Sequence, residues 1–128
     1  MSALKDLWIW EESHKLMLEI HKFCKSLPKQ EIYRIRDQIE RSSSSVADNI
    51  AEGYSAYYFN EKIKGMYVAR KEAGETQNHI SSLIGKRYLE SRRGDIWIEK
   101  YEKVKAGINS YINYIHTKKQ RLIKNKKI

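Results

Sequence analysis

The chain has 128 residues, a single cysteine, and 25 Lys plus Arg against 16 Asp plus Glu, for a net charge of +9. That length suits one domain with a core that needs no staples, while a lone Cys24 excludes an internal disulfide and no Cys/His cluster has zinc-site spacing. The apolar stretches are too short to span a membrane and MSALKDLWIW lacks the apolar region of a signal peptide, so the expectation is a reduced, cytoplasmic protein with no membrane association.

Only six glycines and one proline are present, which suits long helices with short connections and argues against a barrel or sandwich. In the first segment Leu16, Met17, Ile20, Phe23 and Cys24 share one face, with Leu27 a turn further on, and this period predicts a helix from about Glu11 to Ser26. It should stop before Pro28, because proline disfavours helical geometry in the preceding residue. The second period runs through Ile32, Ile35, Ile39, Ser42 or Ser43, Val46 and Ile50, with Gly53 placed as a C-terminal cap.

After a linker from Tyr54 to Tyr58, Phe59, Ile63, Met66, Arg70, Ala73, Gln77, Ile80 and Ile84 repeat with alternating spacings of four and three. Asn60 is a candidate cap for this third helix, and the Ser-Arg-Arg-Gly segment at Ser91–Gly94 should end it. The fourth helix is expected to open at Asp95 as N-cap and to run through Trp97, Tyr101, Val104, Ile108, Tyr111 and Ile115. Four such helices joined by short connections predict an all-α, antiparallel up-down-up-down four-helix bundle over residues 1–116, followed by a basic tail over 117–128. Ile112, Tyr114, Trp8 and Trp10 add apolar area beyond one seam, to cover the bundle ends or to form a self-association face.

The tail is a frayed helical extension or a disordered terminus. It holds Lys118, Lys119, Arg121, Lys124, Lys126 and Lys127 and no acid, so the rest of the chain carries only +3, from 19 cations against 16 acids. Lys86, Arg87, Arg92 and Arg93, around the last connection, are candidates to extend a phosphate-binding surface, and Tyr57 and Tyr58 are candidate stacking groups.

Only Glu11 and His14 have the Glu-x-x-His spacing used by dinuclear metal bundles, so no metal or cofactor is expected. Cys24 reads as a small buried hydrophobe. The run Ser42–Ser45 weakens a helix but permits close approach of a neighbour, and a phosphate or nucleophile role is the lesser reading. Arg70 occupies an apolar register position. Its five donors need acceptors, for which Glu52, Glu75 and Asn49 are candidates in a buried polar layer that fixes helix register.

The segments Asp6-Leu-Trp-Ile-Trp, Gln38-Ile-Glu-Arg-Ser, Ser45-Val-Ala-Asp-Asn-Ile-Ala-Glu-Gly53 and Tyr67-Val-Ala-Arg70, with Glu75 following, resemble the bacterial four-helix-bundle proteins encoded within intervening sequences of 23S ribosomal RNA genes. The resemblance spans about residues 4–116, and Asn49-Ile-Ala-Glu-Gly53 is its most specific part. It implies an antiparallel bundle, a ring-shaped homo-oligomer, commonly a pentamer, and no enzymatic activity. Its signature positions here are Gln38, Arg41, Ser45, Asn49, Glu52, Gly53, Arg70 and Glu75. Glu40 departs from a position where a basic or polar residue is frequent, and Ala73 and Gly74 depart from a bulkier apolar pattern, which predicts looser packing around the third helix.

The family is similar to the accessory protein of diversity-generating retroelements, a basic pentameric bundle that binds nucleic acid and partners a reverse transcriptase. A reverse transcriptase is the implied partner for a member of that branch. The combined expectation is a non-enzymatic oligomeric bundle that binds RNA or DNA, with structured RNA favoured. The alternative is a protein–protein interaction scaffold.

Overall fold

The computed structural model describes Leu4 and residues 7–126, so Asp6 and Lys127 lie outside the described residues. Four helices run through them: α1 (Trp8–Cys24), α2 (Asp37–Ser55), α3 (Phe59–Gly85) and α4 (Ser91–Lys126). Consecutive helices pack against one another and α4 closes back onto α1, which gives the antiparallel four-helix bundle expected from the four apolar periods. Of these four neighbouring pairings, α2 with α3 is the most extensive and α1 with α4 the slightest.

The helix boundaries follow tertiary demands more than cap signals. α1 begins before Glu11 because extended Leu7 offers its carbonyl to the N–H groups of Trp10 and Glu11, both at 3.0 Å, and this brings Ile9 into the core. Between α1 and α2 the chain makes a short 3₁₀ turn (Lys29–Glu31) and a π-type turn (Ile32–Arg36). Arg34 there has φ −121° and ψ −113°, so the continuous helix read from Ile32 is broken at that point. The same region is clipped to the far connection by the buried carboxylate of Glu31, which accepts a hydrogen bond from Lys86 at 3.0 Å.

Gly53 is not a cap. α2 continues to Ser55, and Gly53 is buried where α2 crosses α3 at Gly65. A Cβ on Gly53 would lie 2.8 Å from the Lys62 carbonyl oxygen, and one on Gly65 would lie 2.7 Å from Gly53 Cα. The pair therefore sets the closest approach of the two backbones. Gly74, by contrast, has nothing within 4 Å of where a Cβ would be, so α3 is open there even though neighbouring Ala73 is fully buried.

On α3 the buried set is Ile63, Met66, Ala69, Ala73, Thr76, Ile80 and Leu83, whereas Arg70, Gln77 and Ile84 of the strict heptad are half-buried. A straight helix drifts about 20° per heptad against a 3.5-residue repeat, and α3 is covered by α2 and α4 together, so its buried arc is wider than a coiled-coil seam. The buried polar contact between α2 and α3 is a hydroxyl pair, with Thr76 Oγ1 2.8 Å from both Ser42 Oγ and the Glu72 carbonyl oxygen.

On α4, Ile112 takes the core place expected for Tyr111, and Tyr114 is exposed. α4 also begins at Ser91 and not at Asp95. Gly94 is already buried, and the Arg93 guanidinium stacks over Trp97 at 4.9 Å and Phe23 at 5.6 Å. Tyr101 lies at the centre with a buried hydroxyl that has no hydrogen-bond partner among the described residues, and burial pushes its phenol pKa up. No helix among the described residues is long and apolar enough to cross a membrane.

Candidate functional site

The basic segment is helical. α4 has 36 residues, about 54 Å of helix, and it extends past Ile115, the last buried position, by roughly 16 Å. Lys124 and Lys126 lie in its last turn, where cations offset the negative end of the helix dipole, and this favours helix over fraying despite the like charges. Lys118, Arg121, Lys124 and Lys126 are exposed and have no ion-pair partner among the described residues. Lys119 donates to Asn60 Oδ1 at 2.8 Å, which ties the extension to the start of α3. Asn60 is thus an anchor for α4, and Tyr58 stands at the N-cap of α3 without a side-chain cap bond.

The other predicted cations sit at the opposite end of the bundle, separated by the length of α3, about 40 Å for its 27 residues. Two of these four are already engaged: Lys86 pairs with Glu31, and Arg93 covers Trp97 and Phe23. Arg92 is exposed, and Arg87 is exposed with φ 64° in the turn after α3. The predicted cations therefore fall into two separate groups among the described residues, and the larger group, with no carboxylate paired to it, is the one on the α4 extension.

The signature residues assemble elsewhere. Gln38, Arg41, Ser45, Asn49 and Glu75 line a polar groove of about 780 Å³ between α2 and α3, and Asn49 links it to a recess of about 470 Å³ that contains Glu52. Arg41 pairs with Asp37 at 3.6 Å, and Asn49 Nδ2 donates to Ser45 at 2.9 Å. Asp48, Glu72, Glu75 and His79 also line the groove. Burial, and then the neighbouring Glu75, raise the Glu72 carboxyl above its ordinary value, while burial holds the His79 imidazole below its own. With three carboxyl side chains against Arg41, the groove repels phosphate.

Arg70 stands apart from this groove, which corrects the expected layer with Glu52, Glu75 and Asn49. Its guanidinium donates to Asn109 Oδ1 on α4 at 2.6 Å and lies 4.9 Å over the Tyr67 ring. Gln77 likewise faces α4, donating to the Ile98 carbonyl at 3.0 Å and to Glu102 at 3.1 Å.

One cluster invisible to sequence spacing joins α1 to α2. His21 Nε2 is 3.2 Å from Ser44 Oγ and 3.1 Å from the Glu40 carbonyl oxygen, while Nδ1 is 3.7 Å from Glu40 Oε2. A carbonyl oxygen only accepts, so Nε2 carries a proton and is not a base for Ser44. The trio therefore reads as a helix-to-helix clasp. Cys24 is buried and its thiol is pushed up to about 12 by burial, so it is held as a neutral thiol. Among the described residues no three His, Cys, Asp or Glu side chains gather as a metal site. Glu11 pairs with Lys15 at 3.0 Å, and His14 stacks on Trp10 with ring centroids 4.7 Å apart.

These features define an all-helical antiparallel bundle with an α2–α3 signature groove and a basic fourth-helix extension. A family model for the 23S rRNA-intervening sequence protein matches residues 5–110, and the chain belongs to that family. The basic extension lies beyond the matched residues. A solved structure from Bacteroides thetaiotaomicron VPI-5482, described as a protein with unknown function from the S23 ribosomal protein family, superposes with a TM-score of 0.77 at 24% identity. The match covers 85% of this chain and 98% of that one, and it shows a shared fold. No match was found among curated proteins.

Proposed function

We propose that this chain is a non-enzymatic, oligomeric bundle of the cytoplasm that binds nucleic acid, with structured RNA favoured, and that the α4 extension is its principal phosphate-binding element. The observation that carries the reading is the run of cations at Lys118, Arg121, Lys124 and Lys126 on one helix, with no carboxylate paired to them among the described residues. Such charges supply sequence-independent affinity through release of phosphate counterions, and assembly multiplies them by the subunit number. Resemblance favours a pentamer. Exposed apolar side chains outside the core, including Trp8, Leu18 and Ile96, are compatible with self-association.

The test is a mobility-shift comparison of structured RNA and duplex DNA, using the parent and a variant with Lys118, Arg121, Lys124 and Lys126 changed to Gln. Sedimentation would give the subunit number in parallel. Loss of binding with assembly retained supports the reading; equal binding by parent and variant removes the extension from it. A protein-interaction scaffold is the second reading, favoured by Leu122 and Ile123, which are 44% and 46% exposed on the same extension. An assembled protein that binds no nucleic acid near physiological salt would select it.

A further inference from the structure

Ala56, Tyr57 and Tyr58 form the three-residue connection between α2 and α3, at the end of the bundle where α4 extends. Both sides of this connection are pinned: the Ala56 N–H donates to the Glu52 carbonyl and the Lys62 N–H to the Tyr58 carbonyl, each at 3.0 Å, and Lys62 Nζ donates to the Tyr54 carbonyl at 2.8 Å. On that fixed turn the two rings point outward, with Tyr57 86% and Tyr58 64% exposed. Their centroids are 5.0 Å apart at an interplanar angle of 87°, so neither ring stacks flat on the other and open faces remain.

Lys118 and Lys119 of the α4 extension come close to this turn. The Lys119–Asn60 hydrogen bond brings the α4 extension to within two residues of Tyr58 along the chain. Lys62 is held below its ordinary pKa first by burial and then by repulsion from Lys118, a sign of crowded like charge. The nearby carboxylates, Glu52 and Glu61, line the recess on the α2–α3 side.

We propose that Tyr57 and Tyr58 form a stacking site for unpaired nucleotides, seated beside the phosphate-binding extension, so that the protein prefers RNA loops and bulges to continuous duplex. The inference rests on the nucleic-acid reading and narrows it. A paired base hides its faces in the helical stack, whereas an unpaired nucleotide offers a free π-face together with its phosphate. The turn is held before binding, so little ordering cost falls on the rings.

The experiment uses the full chain, a labelled stem–loop RNA, and the same stem closed as a blunt duplex, compared by fluorescence anisotropy. The parent should favour the stem–loop by about tenfold or more, and Tyr57→Ala/Tyr58→Ala should bring that ratio close to one. The salt dependence should stay unchanged, because no charge is removed. Tyr58→Trp should keep the preference, and Tyr57→Ala alone, at the more exposed ring, should lower it in part. Circular dichroism reports whether each variant keeps its helices. A 2-aminopurine placed in the loop should change in fluorescence on binding the parent and not on binding the double variant. A parent that binds both RNAs equally, or a double variant that keeps the preference, overturns the stacking site and leaves the nucleic-acid reading standing. A parent that binds neither overturns both.

Discussion

Gly65→Ala adds one methyl group where the backbones of α2 and α3 cross. Its Cβ would lie 2.7 Å from Gly53 Cα, 2.9 Å from Gly53 N and 3.0 Å from the Asn49 carbonyl oxygen, all backbone atoms that no rotamer change can move. Ordinary contact begins at 3.4 Å, so α2 and α3 must separate locally by about 0.7 Å. Overpacking of this kind costs about 1–3 kcal/mol, and replacing a mid-helix glycine by alanine returns about 1 kcal/mol. The net expectation is a loss of up to about 2 kcal/mol, or a Tm lower by up to about 8 °C for a chain of this size. Gly74→Ala is the control: with nothing within 4 Å it receives only the helix-propensity gain, and its Tm should rise by about 2–4 °C. Thermal unfolding followed by far-UV circular dichroism measures both. A Gly65→Ala protein as stable as Gly74→Ala would refute the reading of Gly53 and Gly65 as a backbone crossing.

Thr76→Val deprives Ser42 of its 2.8 Å partner, leaving it only the Ile39 carbonyl at 3.4 Å, and should cost about 1–2 kcal/mol in urea unfolding. Adding Ser42→Ala should recover part of that loss, because no buried hydroxyl is then left without its partner. Arg70→Met gives up one hydrogen bond to Asn109 and a contact with Tyr67 at a half-buried site, so a folded protein weakened by about 1 kcal/mol is expected; loss of folding would restore the buried-layer idea. Burial favours the neutral Cys24 thiol in the fold, raising its pKa from the ordinary 9.0 to about 12. The stability this group contributes is complete below about 9 and lost as pH rises through about 12, so the stability of Cys24→Ala should fall less over that window than that of the parent. Alkylation of the native thiol by iodoacetamide should proceed no faster than unfolding.

The four elements and their antiparallel order were legible because apolar periods marked each helix and Pro28 marked the first stop. What was not legible depended on a second helix. A glycine near the end of an apolar period reads as a cap, and only the position of Gly65 turns Gly53 into a crossing residue. The strict heptad on α3 placed Arg70 in the core, whereas a wider buried arc placed Ala69, Thr76 and Leu83 there and left Arg70 beside α4. Ser91–Gly94 reads as the stop of the third helix ahead of an Asp95 cap, and two arginines are unfavourable at a helix N-terminus. The rings of Trp97 and Phe23 offset that cost by receiving Arg93. The basic charge was readable as composition. Its division between two ends of the bundle, and the joining of Tyr57 and Tyr58 to one of them, depended on the fold.

The most direct test of the account is the salt dependence of RNA and duplex DNA binding, measured for the full chain and for one truncated after His116. For duplex, each cation that reaches a phosphate adds about 0.9 to the slope of log affinity against log salt. Loss of the extension should therefore flatten the slope by about that much for every contact it makes, and should lower affinity at each salt concentration. Equal affinity and equal slope with and without the extension would show that the extension does not bind phosphate.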